Sequence, residues 1–199
     1  KKPLIIICGP CQLESLDHSR MIAEEISKIC LSEKISFVFK ASFDKANRTS
    51  IDAPRGIGMD KGLTILDKIS SEFNCPTLTD VHESNQCEEV GKIVDIIQIP
   101  AFLCRQTDLL LAAGETGKVV NIKKGQFLSP ISMVNAVKKV EATGNKNIML
   151  CERGSCFGYG TLINDFRSLP IMAETGYPVV FDATHSVQIL STNTKSSGG

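Results

Sequence analysis

The chain has no tryptophan, and its 22 basic and 22 acidic side chains cancel to no net charge. A balanced charge argues against a broad nucleic-acid or anionic-membrane surface, because binding to polyanions requires a basic excess. No apolar run approaches the roughly 18 residues of a membrane span. The opening, Lys1-Lys2-Pro3 and then Leu4 to Cys8, is too short an apolar stretch for a secretory signal. The chain also lacks a Walker sequence, a dinucleotide fingerprint and a Ser-His-Asp elbow, so nucleotide-driven and serine-hydrolase chemistry have no foothold. No linker, low-complexity tract or charge block interrupts residues 1–199, which therefore read as one soluble domain, expected in the cytoplasm. Eight cysteines without framework spacing fit a reducing compartment, most of them serving as small core hydrophobes.

What is present begins with Cys8-Gly9-Pro10-Cys11, literally a thioredoxin-type redox sequence. A thioredoxin domain is about half this length, and the missing tryptophan and the many βα repeats speak further against it. Cys8 continues the alternation of a strand and is expected to point into the core. Cys11 lies past the Gly-Pro turn, where its thiolate can reach a ligand.

Short β-rich runs recur at Leu4–Cys8, Phe37–Lys40, Thr77–Asp80, Ile96–Pro100, Val119–Lys123, Ile148–Glu152 and Val179–Asp182. Helical segments are predicted between them, at Ser15–Leu31, Asp60–Glu72, Ser84–Lys92, Arg105–Thr116, Ser132–Thr143 and Asn164–Thr175. In the first, Met21, Ile22, Ile26 and Ile29 recur at helical spacing. Ser15 and Ser132 are expected starts, and Gly117, Gly144 and Gly176 expected stops. Repeated βα units imply a parallel sheet, either open and doubly wound or closed as a barrel. An open sheet gathers its site at one switch point, whereas a barrel draws on the ends of many strands. Here nearly every strand ends in polar groups, from Gly9-Pro10-Cys11 through Lys40, Asp80, Gln98 and Lys123-Lys124 to Glu152-Arg153 and Asp182–His185. The fold class expected is therefore α/β, a (β/α)8 TIM barrel. Seven strands do not close an eight-stranded barrel of about 250 residues. With the chain running out at Ser196-Ser197-Gly198-Gly199, the eighth strand and final helix are expected to be missing.

The loop after the second strand, Lys40 to Ser50, carries Lys40, Lys45 and Arg48 within nine residues. Ser42, Asn47, Thr49 and Ser50 add neutral hydrogen-bonding groups among them. Arg offers a planar fork suited to phosphate and Lys a movable point charge, while amides and hydroxyls suit sugar hydroxyls. Lys123 and Arg153 stand at later strand ends beside Gly125 and Gly154, where backbone can approach a ligand. At least five cations thus converge on one mouth, enough for two phosphorylated ligands or for one phosphate plus a carboxylate. His185 at the last strand end and Cys11 together suit a borderline divalent metal. His82 either faces the site or caps the following helix, His18 belongs to a helix surface, and Asp108 fits a helix start.

Taken in order, these motifs resemble the 3-deoxy-D-manno-octulosonate 8-phosphate synthases over essentially the whole chain. The resemblance is carried by Gly9–Ser15, Phe39–Ser50, Thr79–Glu83, Gln98–Asp108, Asn121–Phe127, Glu152–Gly154 and Phe181–Ser186. It implies a homotetrameric (β/α)8 barrel, with members longer than this chain. It also implies condensation of phosphoenolpyruvate with arabinose 5-phosphate, with loss of phosphate, in the cytosolic route to lipopolysaccharide. By resemblance, Lys123, Arg153 and the backbone at Ala101 hold the phosphoenolpyruvate phosphate, and Lys40 and Lys45 lie near its carboxylate and reacting carbons. Ser42 and Gln98 are expected among the substrate contacts, Asn47 and Asp80 at sugar hydroxyls, and Arg48 and Thr49 at the sugar phosphate. Arg105 is expected to reach a neighbouring subunit's site. The metal-independent branch has asparagine where this chain has Cys11, so Cys11 and His185 point to the branch that binds a divalent ion such as Zn, Fe or Mn. Two further ligands, a Glu and an Asp, belong to the part expected to be missing.

The related 3-deoxy-D-arabino-heptulosonate 7-phosphate synthases share the Gly-Pro-Cys start. Their substrate loop resembles Lys-Pro-Arg-Thr-Ser, whereas this chain has Lys45-Ala46-Asn47-Arg48-Thr49-Ser50. The added Asn47 favours the five-carbon sugar phosphate. A non-catalytic sugar-phosphate-binding barrel is the alternative of another class, distinguished by binding without phosphate release.

Overall fold

The computed structural model describes residues 3–189; Lys1, Lys2 and the stretch ending at Ser196–Gly199 lie outside the described residues. Seven parallel strands alternate with six α-helices. The strands are β1 (Ile5–Cys8), β2 (Ser36–Lys40), β3 (Thr77–Asp80), β4 (Ile96–Ile99), β5 (Val119–Lys123), β6 (Ile148–Glu152) and, after a small hairpin, β9 (Val179–Phe181). The helices are α1 (Leu16–Glu33), α2 (Met59–Phe73), α3 (Cys87–Ile93), α4 (Thr107–Glu115), α5 (Met133–Glu141) and α6 (Ser168–Ala173). The hairpin pairs β7 (Ser155–Cys156) with β8 (Leu162–Ile163) in antiparallel fashion.

Strand order decides the architecture. The sheet runs β1-β2-β3-β4-β5-β6-β9, each strand beside its predecessor in the chain, all parallel. A doubly wound sheet reverses direction at a switch point, and this one does not. Successive right-through βα units are the construction of a (β/α)8 barrel, here with β1 and β9 left as unjoined edges among the described residues.

Alternation along the strands separates two apolar layers. Val38, Leu78 and Ile96, with Ile7, Val119 and Met149 against them, form one small cluster on the concave side. Phe39, Ile97, Ile99, Val120, Ile122 and Leu150 belong to a much larger cluster shared with the helices. Because side chains alternate with period two, the residues two or four positions after the concave cluster point the same way. Among them are Lys40, Asp80, Gln98, Asn121 and Lys123. The lower interior is therefore apolar and the C-terminal rim polar.

Helix ends follow local chemistry. The Ser15 hydroxyl accepts from the His18 backbone N–H at 3.1 Å, so α1 starts where expected. Gly117, Gly144 and Gly176 adopt left-handed backbone just beyond α4, α5 and α6. Ser132 stands at the N-cap of α5, as expected, but its side chain makes no cap hydrogen bond. Pro130 opens a one-turn 3-10 helix first, having no N–H to leave unpaired, and the Ser132 hydroxyl pairs with that of Ser129. A similar turn at Ser84–Gln86 precedes α3, and α6 starts later than its predicted span because Asp165 Oδ1 accepts from the Arg167 N–H at 3.0 Å in a turn ahead of it. In α1 the buried stripe is Ser19, Ala23 and Cys30 with Ile22 beside it; Met21 and Ile29 are exposed, contrary to the apolar face expected.

Candidate active site

Every strand end contributes to one mouth, beginning with the turn after β1. A Cβ added at Gly9 would lie 2.2 Å from the Lys40 carbonyl oxygen, so only glycine lets this turn pass so close to β2. Beyond it the backbone is pinned to the next loop: Leu13 N–H donates to Ser42 O at 2.9 Å, and Ser42 N–H to Cys11 O at 3.3 Å. The Cys8 thiol is half-buried near Cys30 and Cys75, and burial pushes its pKa up to about 11. All eight cysteines are free. Cys8 is packing, and Cys11 stands apart from it on the mouth.

The Lys40–Ser50 loop is anchored by Phe43, which is fully buried. α2 packs so tightly on it that a Cβ at Gly62 would fall 2.4 Å from Phe43 Cβ. The loop then folds back, with Lys45 N–H donating to Arg55 O at 2.6 Å and Arg55 paired with Asp44. This holds Lys45 Nζ 2.8 Å and Lys40 Nζ 3.4 Å from Ser42 Oγ. Burial lowers the Lys45 pKa, and the Lys40 charge lowers it further. Asn47, Arg48 and Thr49 lie exposed on the outer arm. Arg48 is tied down by Gln12 Oε1 and, at 3.0 Å, by Pro54 O.

Opposite them stands Asp80, whose Oδ2 lies 3.1 Å from His82 Nε2. Burial works to raise the Asp80 pKa, but the His82 hydrogen bond and the charges of Lys40 and Lys45 outweigh it, leaving the carboxyl well below its usual range. Its Oδ1 is buried without a hydrogen-bond partner, an open acceptor on the concave side. His82 thus serves the mouth, standing edge-on to Phe43, while Gln86 caps the local turn by accepting from the His82 and Glu83 N–H groups. His18 is a partly exposed residue of α1, as expected.

On the far side, Lys123 Nζ lies 2.5 Å from Asp182 Oδ2. The same oxygen is 2.8 Å from His185 Nδ1, and Asp182 Oδ1 accepts from the His185 backbone N–H at 3.0 Å. Burial would raise the Asp182 pKa, yet these His185 and Lys123 interactions hold it far below the ordinary value. Arg153 donates through Nη2 to His185 O and Gln188 Oε1, both at 2.8 Å, while its Nε is buried and unpaired. Arg153 and Lys123 therefore both connect to the His185 segment.

His185 closes the ring. Its Nε2 is 3.8 Å from Cys11 Sγ. The hydrogen bond from His185 lowers the Cys11 thiol to about 6 against the opposing effect of burial, with Lys40 and Lys45 contributing. Asp182 occupies Nδ1, leaving Nε2 to face the sulfur. Metal bonds of about 2.3 Å to sulfur and 2.0–2.1 Å to nitrogen at a tetrahedral angle place the two donors about 3.6 Å apart. The observed pair fits two corners of such an ion. Among the described residues no group of three or more His, Cys, Asp and Glu side chains is arranged to hold one.

The site residues expected from sequence are mostly brought together: Cys11, Lys40, Ser42, Lys45, Asp80, Lys123, Arg153 and His185 are linked through the contacts above. Gln98 is buried on the concave side and accepts from Asn121 Nδ2 at 3.1 Å. Ala101 begins the 3-10 turn after β4. Arg105 is not joined to the mouth by any hydrogen bond of its side chain among the described residues; it lines a recess of about 430 Å³ with His82, Glu83, Gln106 and Thr107. Three residues escaped the sequence reading. Asn121 is two positions from Lys123 on one strand face, a period-two signal that could have found it. Asp182 and Glu152 were visible only as strand-end groups, since the lysines that pair with them, Lys123 and Lys124, are far away in sequence.

The chain matches the model of the DAHP synthetase I family over residues 1–196. It belongs to that family. Within it, the chain is similar to a curated relative from Granulibacter bethesdensis named 2-dehydro-3-deoxyphosphooctonate aldolase, 58% identical over 197 residues. That match covers 99% of this chain and 70% of the relative. A protein of the same name from Rickettsia bellii is 60% identical over 186 residues, covering 94% and 68%. Another from Rickettsia prowazekii is 58% identical over 195 residues, covering 98% and 71%. The chain thus spans about 70% of the length of the relatives it matches, and seven strands of a family barrel are found among its described residues.

Proposed function

We propose that this chain acts as a 3-deoxy-D-manno-octulosonate 8-phosphate synthase, the activity that corresponds to the name its relatives carry. The reaction joins the methylene carbon of phosphoenolpyruvate to the aldehyde carbon of arabinose 5-phosphate. Water adds at the former enol carbon and inorganic phosphate leaves. The observation that carries this reading is the division of cations around one mouth. Lys40, Lys45 and Arg48 stand on one side, and Lys123 and Arg153 on the other, with Asp80 and Asp182 among them. Two phosphates and a carboxylate suit that arrangement better than any single monoanion.

On this reading Lys123 and Arg153, with the backbone at Ala101, bind the phosphoenolpyruvate phosphate. Both side chains are now turned to protein acceptors, Asp182 for one and His185 O and Gln188 for the other, so a phosphate takes over donors already aimed into the mouth. Lys40 and Lys45 neutralise the carboxylate and the charge that develops nearby, while Ser42 fixes their separation. The open Asp80 oxygen and Asn47 take sugar hydroxyls, Gln98 lines the same wall, and Arg48 with Thr49 takes the sugar phosphate. Cys11 and His185 would hold a divalent ion such as Zn, Fe or Mn, with Asp182 fixing the imidazole through Nδ1. When bound, that ion supplies a Lewis acid to orient and polarise the aldehyde.

Arg105 is exposed and makes no side-chain hydrogen bond among the described residues, which leaves it available to a neighbouring subunit in a homotetramer. No helix among the described residues is long and apolar enough to cross a membrane, and the small polar substrates are those of a cytoplasmic biosynthetic step. The deciding assay compares arabinose 5-phosphate with erythrose 4-phosphate in phosphate release from phosphoenolpyruvate. Turnover of the five-carbon sugar is expected. Preference for erythrose 4-phosphate would assign the sister activity, and binding without release would make the barrel non-catalytic.

A further inference from the structure

Lys124 follows the phosphate-facing Lys123, yet it points away from the mouth and is completely buried. Its Nζ lies 3.2 Å from Gly125 O and 3.3 Å from Leu128 O, in the loop after β5. It also lies 3.3 Å from Gly154 O and 3.0 Å from Ser155 Oγ, in the loop after β6. A carboxylate completes the cage: Glu152 Oε1 is 3.3 Å away. That same oxygen accepts from the backbone N–H groups of Arg153, at 2.9 Å, and Gly154, at 2.7 Å. Gly154 is in left-handed backbone, φ +91°, where the chain turns immediately after the Arg153 side chain has been sent inward. Burying an ammonium and a carboxylate is expensive, and a strand-to-loop junction has no need of either.

We infer that Lys124 and Glu152 are positioning residues that lock the backbone of Arg153 and Gly154, and so hold the Arg153 guanidinium where a phosphate must meet it. Lys124 ties the two loops to one point, and Glu152 fixes the two peptide N–H groups that set the direction in which Arg153 leaves the strand. Neither side chain touches substrate. Their effect reaches one ligand only, because the Arg48 arm is anchored separately through Gln12 and Pro54. This inference rests on the reading of Arg153 as a phosphate ligand.

The test measures binding of phosphoenolpyruvate and of inorganic phosphate by calorimetry, and the Michaelis constant for arabinose 5-phosphate, in Lys124→Met, Arg153→Ala and the double variant. A misaligned guanidinium should weaken phosphoenolpyruvate binding by about ten- to a hundredfold in Lys124→Met. The constant for arabinose 5-phosphate should stay within about twofold, the scatter expected of an uncoupled site. In the Arg153→Ala background the Lys124 substitution should add almost nothing, since there is no guanidinium left to misplace. Effects that multiply, or that fall equally on both substrates, would show a general structural role and overturn the inference. Should Lys124→Met not fold, Glu152→Ala carries the same comparison, as it removes both the acceptor of the two N–H groups and the charge that faces Lys124. Unchanged phosphoenolpyruvate binding in that variant overturns it equally. A wild-type chain that binds neither phosphoenolpyruvate nor phosphate would instead bring down the functional reading beneath it.

Discussion

Replacing Arg48 and Arg153 in turn by alanine should separate the two phosphate sites. Each loss removes a charge-assisted contact worth about 1.5–3 kcal/mol. That corresponds to roughly ten- to a hundredfold in affinity. Arg48→Ala should raise the Michaelis constant for arabinose 5-phosphate by that factor and leave phosphoenolpyruvate nearly unchanged; Arg153→Ala should do the reverse. The structure adds a second, independent readout. Arg48 is exposed and bonded only to Gln12 and Pro54 O, so its loss should alter stability by no more than about 0.5 kcal/mol. Arg153 is 6% exposed and donates to His185 O and Gln188 Oε1, so its loss removes two hydrogen bonds. Each is worth about 0.5–1.5 kcal/mol. In a chain of this size each kcal/mol lowers the melting temperature by about 2–4 °C. Steady-state kinetics with each substrate varied, together with thermal melts, covers both readouts. If Arg48→Ala weakens phosphoenolpyruvate and spares the sugar phosphate, the two sites have been exchanged and the reasoning fails.

Cys11→Asn should abolish binding of a divalent transition metal while leaving some activity, as asparagine is the residue of the metal-independent branch; full activity of chelator-treated wild type would refute the assignment of Cys11 as a ligand. In metal-free protein, alkylation of Cys11 should accelerate as pH rises through about 6, measured against Cys11→Ser to subtract the exposed Cys156. His185→Ala should move that midpoint up toward the ordinary 9, since the imidazole is the largest cause of the lowering; an unmoved midpoint would show that the lysines dominate. Gly9→Ala should cost on the order of 3 kcal/mol or more, because its Cβ meets the Lys40 carbonyl oxygen at 2.2 Å and both partners are backbone; a near-neutral denaturation curve would mean that the turn relaxes freely.

The barrel was legible in the sequence because its information is local. Seven strands and most helices could be read from alternation and caps, and the polar residue at each strand end marked the working face. Less was legible where geometry is made by distant partners. Little near Lys124 says that it is buried, since half of its cage comes from Glu152 at the end of β6 and from Gly154 and Ser155 after it. Adjacent in sequence to Lys123, it counts as one more cation at the mouth until the alternation is followed one step further. The β7–β8 hairpin was missed because two-residue strands carry no periodicity. The exposed Met21 and Ile29 show the opposite failure: helical spacing marks an apolar face, but small residues, Ser19 and Ala23, are the ones that let α1 approach the sheet.

The placement of the metal-type donors follows from the same topology. Cys11 comes just after β1 and His185 just after β9, the two edge strands of the sheet. They are 174 positions apart in sequence, and β1 and β9 share no pairing, yet their side chains meet at 3.8 Å above the unjoined edges. In a barrel, a strand inserted between β9 and β1 delivers its C-terminal end to the same face as every other strand, directly beside this pair. A donor at the end of that strand, or on the loop after it, would reach the same point without moving Cys11 or His185. Two donors at a separation suited to one ion, one of them an imidazole already fixed by Asp182, thus stand at the open edge of the described sheet. Lys123 and Arg153 bond to Asp182, His185 O and Gln188 beyond β9, so their orientation is tied to the segment that carries His185, whereas Lys40, Lys45 and Arg48 take theirs from the loop after β2.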